Sequence, residues 1–146
     1  MNTVTPILLG AALFALSGCQ MQKESAMLQP GERAPATQAE VKVDRKDDRE
    51  TGNRELSLDV DHLPPPSELG EEFTTFVVWL APEGSERAQN VGELDYNPSR
   101  RSGSLDVVTP YDQFTIWVTA EPASNPLDRG EVVVASGDLD LRGPQR

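Results

Sequence analysis

Phe114-Thr115-Ile116-Trp117-Val118-Thr119-Ala120-Glu121 places an apolar residue at every even position and Thr, Trp, Thr and Glu between them. Side chains on a β-strand alternate between two faces with a period of two, whereas one face of a helix recurs about every 3.6 residues. The stretch therefore predicts a half-buried strand, with Phe114, Ile116, Val118 and Ala120 turned to a core and Thr115, Trp117 and Thr119 on the opposite face. Outward from it, Thr74 to Ala81 (Thr-Thr-Phe-Val-Val-Trp-Leu-Ala) is apolar on both faces and fits a central strand that holds Trp79 in the core.

Shorter runs with the same period flank these two. Ala39, Val41 and Val43 alternate with charged residues, and Leu56, Leu58 and Val60 alternate with Ser57, Asp59 and Asp61. Val91 to Tyr96 predicts one short strand, Ser104 to Thr109 another, and Glu131 to Ser136 and Asp138 to Arg142 a last pair with a turn or bulge at Gly137. Turn-forming residues separate them: Thr51-Gly52-Asn53, Pro64-Pro65-Pro66, Pro82-Glu83-Gly84-Ser85, Asn97 to Gly103, Pro110-Tyr111-Asp112 and Pro122 to Gly130. No run of ten or more residues past Cys19 sustains a helical period. Seven to eight short strands over residues 39–146, with turn signals every 8 to 12 residues, predict an all-β domain: an immunoglobulin-like antiparallel β-sandwich.

The 146 residues carry 13 Lys and Arg against 24 Asp and Glu, a formal charge of −11. All of these charges lie beyond Cys19. Nucleic-acid binding neutralises phosphates with cations, so this balance argues against it. The adjacent basic pair Arg100-Arg101 sits among turn residues, where a solvated hairpin tip is expected. An acidic body also favours basic partners through electrostatic steering.

Ahead of the β-domain, Val4 to Ala15 is apolar apart from Thr5. A spanning helix needs roughly 20 apolar residues, while a secretory signal core needs about 7 to 15 followed by small residues. Leu16-Ser17-Gly18-Cys19 closes the run and contains the single cysteine. These four residues resemble the lipobox of bacterial lipoproteins. The resemblance implies cleavage before Cys19, a diacylglyceryl group on its thiol and, usually, an acylated new N-terminus. It also implies a chain held on the outer side of a bacterial membrane through that lipid. Gln20, rather than Asp, after the cysteine favours the outer membrane where the host has one. Residues 1–18 are then a signal peptide, and 19–38, rich in Gln, Ala, Pro, Glu and Ser, are expected to be a flexible tether.

A second resemblance covers about Phe73 to Gly137. Val77-Val78-Trp79-Leu80, Gly92-Glu93-Leu94, the Phe114 strand ending Val118-Thr119-Ala120-Glu121-Pro122, and Gly130 to Gly137 follow in an order similar to the extracytoplasmic C-terminal domain of anti-sigma-K factors. The sigma-binding domain and transmembrane helix of that family have no counterpart here. The resemblance therefore implies an extracytoplasmic sensing or protein-contact module and no binding of sigma factors.

Residues that carry chemistry are sparse. His62 is the only histidine, which excludes a two-histidine zinc motif, and no Gly-x-Ser-x-Gly elbow accompanies it. Its place before Leu63 and three prolines fits an exposed strand end. Asp59 with Asp61, and Asp138 with Asp140, are each two apart and share a strand face, but no calcium-loop spacing surrounds them. No catalytic set, metal site or cofactor is expected. Trp117, with Thr115 and Thr119 beside it, is the candidate binding surface, because a flat ring among hydroxyls can stack on a sugar or a partner's side chain. These observations together predict a lipid-anchored envelope protein whose β-sandwich has a non-catalytic binding or structural role. The partner expected is another envelope protein, with a carbohydrate- or peptidoglycan-binding module as the alternative.

Overall fold

The computed structural model describes residues 24–44 and 52–142. The signal peptide, the Leu16-Ser17-Gly18-Cys19 motif and Gln20 to Lys23 lie outside these residues. The strands are β1 (Glu24–Met27), β2 (Gln29–Pro30), β3 (Gln38–Asp44), β4 (Arg54–Asp61), β5 (Thr75–Pro82), β6 (Gln89–Glu93), β7 (Asp95–Asn97), β8 (Ser102–Thr109), β9 (Gln113–Glu121) and β10 (Val133–Asp140). One helical turn, α1 (Pro66–Leu69), joins β4 to β5. Among the described residues no helix is long and apolar enough to cross a membrane.

Two antiparallel five-stranded sheets run in the orders β1-β3-β4-β8-β7 and β2-β10-β9-β5-β6. Without the first two strands these are the A-B-E-D and G-F-C-C′ sheets of an immunoglobulin-like sandwich, as the strand pattern predicts. The first sheet turns Ala39, Val41, Val43, Leu56, Leu58, Val60 and Val107 inward. The second meets them with Phe76, Val78, Leu80, Phe114, Ile116, Val118 and Ala120. Each strand supplies alternate residues because the pleat sends the others outward.

Val91 to Tyr96, expected as one strand, is two strands in different sheets. β6 pairs with β5 and β7 pairs with β8, so the chain changes sheets at Leu94. The Leu94 amide bonds to the Phe76 carbonyl and its side chain is buried, which makes the crossover a hydrophobic pivot. The two strands expected either side of Gly137 are instead one, β10. It bulges between Val133 and Ala135 and passes through Gly137 unbroken. Glycine suits a close approach there: a Cβ would lie 2.8 Å from Leu28 Cδ2, which would have to shift.

From Glu24 onward, the tether expected over 19–38 is the main correction. Glu24–Met27 pairs with β3, Gln29–Pro30 pairs with β10, and the segment therefore flanks both sheets. Leu28 and Ala34 are buried in the core, and the Leu28 amide bonds to the Ala39 carbonyl. The composition gives no period here because each strand is only two to four residues long, and single residues do the anchoring.

Candidate functional site

The outer face of the second sheet contains the predicted surface residues. Thr115, Trp117 and Thr119 do share that face, with Glu121 following them. Trp79 lies directly across from Trp117 on β5. It is buried to 1% exposure, as expected of a core residue, but on the side of the sheet that faces away from the space between the sheets. Val77 is fully buried on the same outer side.

A strap covers this face. The β9–β10 connection runs from Pro122 to Val132 and is tied at three points. The Asn90 side-chain amide donates to the Ser124 carbonyl at 3.1 Å, the Gly130 amide donates to Glu121 Oε1 at 2.7 Å, and the Arg129 guanidinium stands 4.8 Å from the centre of the Trp117 ring. Side chains on an outer sheet face are normally solvated. Here Val77, Trp79, Thr119 and Glu121 are buried, so beside the strap part of the face is a second, smaller interior.

The polar groups trapped there are satisfied in series. Trp79 Nε1–H donates to Thr119 Oγ1 at 2.9 Å, and the Thr119 hydroxyl donates to Glu121 Oε1 at 2.7 Å. An indole has a donor and no acceptor, a hydroxyl has both, and a carboxylate only accepts, so the order runs one way. Thr119 is therefore not part of an open binding surface: it is fully buried, its hydroxyl saturated between Trp79 and Glu121. Glu121 is only 4% exposed and anchors both the strand end and the strap. Gly130 is small for the same reason, since a Cβ there would fall 2.8 Å from Glu121 Oε1.

Trp117 is half-buried, with Arg129 over its ring, and borders a groove of about 590 Å³. Arg33, Arg129, Glu32, Glu131 and Ser136 complete much of the lining. Two arginines offset two glutamates, which makes the groove locally neutral on a strongly acidic body. Thr115 is half-buried and donates its hydroxyl to Asp138 across the β9–β10 pair. Of the three predicted residues, Trp117 alone reaches the groove. Sequence reasoning missed Arg129 and Glu121. Glu121 reads as an ordinary polar residue of the alternation, and Arg129 lies in a turn-rich loop whose path no periodicity reveals.

Asp138 and Asp140 share a face as expected and are occupied by local partners. Asp140 accepts from Gln113 at 3.0 Å and from Arg142 Nη2 at 2.8 Å. The hydrogen bonds from the Arg142 guanidinium, with those from the Gln113 amide and the Arg142 backbone, hold the Asp140 carboxyl well below the usual carboxylate range. Among the described residues no group of three His, Cys, Asp or Glu is placed to hold a metal ion. His62 is exposed at the end of β4 in a left-handed conformation, φ 55°, and no serine or carboxylate among the described residues hydrogen-bonds to it. Arg100 and Arg101 sit at the tip of the β7–β8 hairpin, where Asn97 Oδ1 accepts from the Ser99 and Arg100 amides. No family model matches this chain, and no curated protein proves similar to it.

Proposed function

We propose that this is a lipid-anchored protein of a bacterial envelope, whose β-sandwich binds another envelope protein and carries out no catalysis. The observation that carries the binding role is the strap. It is held in one shape by Glu121, Asn90 and Trp117, and at its tip Leu127 is 94% exposed. Loops set on a rigid scaffold are the usual place for recognition, and an apolar side chain presented by an ordered loop is suited to a recess on a partner. Anchoring is supported by the Leu16-Ser17-Gly18-Cys19 motif after an apolar run too short to span a bilayer.

A photo-crosslinking residue at position 127, in protein expressed in its own host, tests this. A discrete adduct is expected from position 127, with none from the equally apolar exposed site at Val108 on the opposite sheet. The same adduct from both sites, or from neither, overturns the proposal. The groove beside Trp117 supports a second function, binding of a saccharide. Stacking of a sugar on the ring requires Arg129 to move aside, so saccharide-dependent quenching of tryptophan emission that is enhanced in Arg129→Ala distinguishes it.

A further inference from the structure

The position of β1 relative to Cys19 restricts how the sandwich can stand on a membrane. Glu24 opens β1 five positions after Cys19. Five peptide steps reach at most about 17 Å even when fully extended. The leash is thus much shorter than a tether over 19–38 would have been.

The end of the sandwich to which this leash is tied is defined by register. Glu24 lies opposite Val43, and Val43 opposite Leu56, which in turn pairs with Val107. β5 finishes at this end with Pro82, opposite Phe114 near the start of β9. The Glu83 to Arg87 turn and the Pro110 to Asp112 corner therefore belong to the leashed end. Glu121 closes β9 at the other end, nine residues of strand and about 27 Å away. The strap leaves from there but turns back over the sheet, with Ser124 tied to Asn90 and Arg129 over Trp117, both at mid-sheet.

Charge opposes toppling onto the β1 side. The outer face of the first sheet exposes Glu55, Asp61 and Asp106 and half-exposes Glu40 and Asp59, with Lys42 paired to Asp59 at 3.4 Å. Such a face is repelled by anionic headgroups over roughly a Debye length, about 8 to 10 Å.

On the anchoring proposed above, we infer that the sandwich stands on the membrane with the Glu83–Arg87 and Pro110–Asp112 end down, so that the Arg100-Arg101 hairpin tip and the α1 segment are membrane-distal and the strap with Leu127 faces sideways at mid-height. The hairpin tip and α1 share the distal end because β4 finishes there and Leu63 bonds to the Arg101 carbonyl. The partner that fits the strap is a protein offering an apolar recess well within about 45 Å of the bilayer surface, the leash and strand lengths combined.

The test uses full-length protein lipidated in vivo, reconstituted into vesicles of phosphatidylethanolamine and phosphatidylglycerol at three to one. Lipidation consumes the Cys19 thiol, so Glu86→Cys and Ser99→Cys each provide a single labelling site. Energy transfer from a fluorophore at each site to a headgroup-labelled acceptor lipid is expected to be several-fold more efficient from position 86 than from 99. Inserting twenty Gly and Ser residues after Gln20 is expected to erase that difference. Equal transfer from the two sites at the native leash length, or stronger transfer from 99, overturns the orientation. Mass spectrometry of the same sample separates the remaining case: an unmodified Cys19 overturns the anchoring, and the orientation with it.

Discussion

Trp79 and Thr119 are joined by a 2.9 Å hydrogen bond on the side of the second sheet that faces away from the core. The donor and acceptor are both excluded from water, so the bond cannot be exchanged for one to solvent. Trp79→Phe keeps most of the apolar volume and leaves the Thr119 hydroxyl without its donor. A loss of about 1–3 kcal/mol is expected in urea denaturation, the range for a buried polar group deprived of a partner together with some packing. Thr119→Val strands the indole N–H instead and is expected to cost a similar amount. The two losses together should be clearly less than additive, because the second substitution removes a group the first has already orphaned. Strict additivity would show that the bond contributes nothing.

Arg129→Ala unties the strap at Trp117 while leaving the Glu121–Gly130 tie in place. In a Trp79→Phe background Trp117 is the only fluorophore of its kind, and its emission is expected to shift to the red with faster acrylamide quenching. Gly130→Ala acts at the other tie, where the added methyl would fall 2.8 Å from Glu121 Oε1. It should release both ties, giving a larger spectral shift and a loss on the order of 1–2 kcal/mol. Unchanged emission in both variants would mean that the strap does not shield Trp117.

Asp140 gives the fold a small sensitivity to acid whose sign follows from its partners. Arg142 and Gln113 stabilise the ionised carboxylate, so its folded-state pKa is depressed relative to the unfolded chain. Its contribution is present above the unfolded value, about 3.9, and is lost as pH falls from there toward the folded value. The pair is exposed at the surface, so the effect should shrink in 1 M salt. Asp140→Asn is expected to lower the melting temperature slightly from pH 5 to 8 at low salt, to leave it least changed near pH 2, and so to flatten the decline between pH 4 and pH 2.

The second sheet was legible in the sequence because β5 and β9 are long, central and strictly patterned, and their register then follows from which residues must share the core. The face carrying Trp117 was legible for the same reason. What covers that face was not, since a period-two pattern records only which side a residue is on. Trp79 and Thr119 are buried by a loop rather than by a sheet, and Pro122 to Gly130 has the composition of any solvated turn. The split of β6 from β7 was hidden for a related reason: Leu94 continues the alternation while the backbone changes sheets beneath it. At the N-terminus the strands are too short to show any period.

That N-terminal segment yields the most direct test of the fold. Leu28 is buried against Gly137, its side chain occupying the space that any larger residue at 137 would need. If Glu24 to Gln38 were a tether, Leu28→Ala would change stability by no more than about 0.5 kcal/mol. As a core residue it is expected to cost about 2–5 kcal/mol, read as a lower urea midpoint with an unchanged slope. Gly137→Ala alone should also destabilise, because its methyl collides with the Leu28 side chain. In the double variant the truncated residue 28 makes room for that methyl, so the second substitution should cost little or recover part of the first loss. A coupling of about 0.5–3 kcal/mol in that direction would place the two residues in contact in solution. A simple sum of the two losses would separate them and return the segment to the role of a leash.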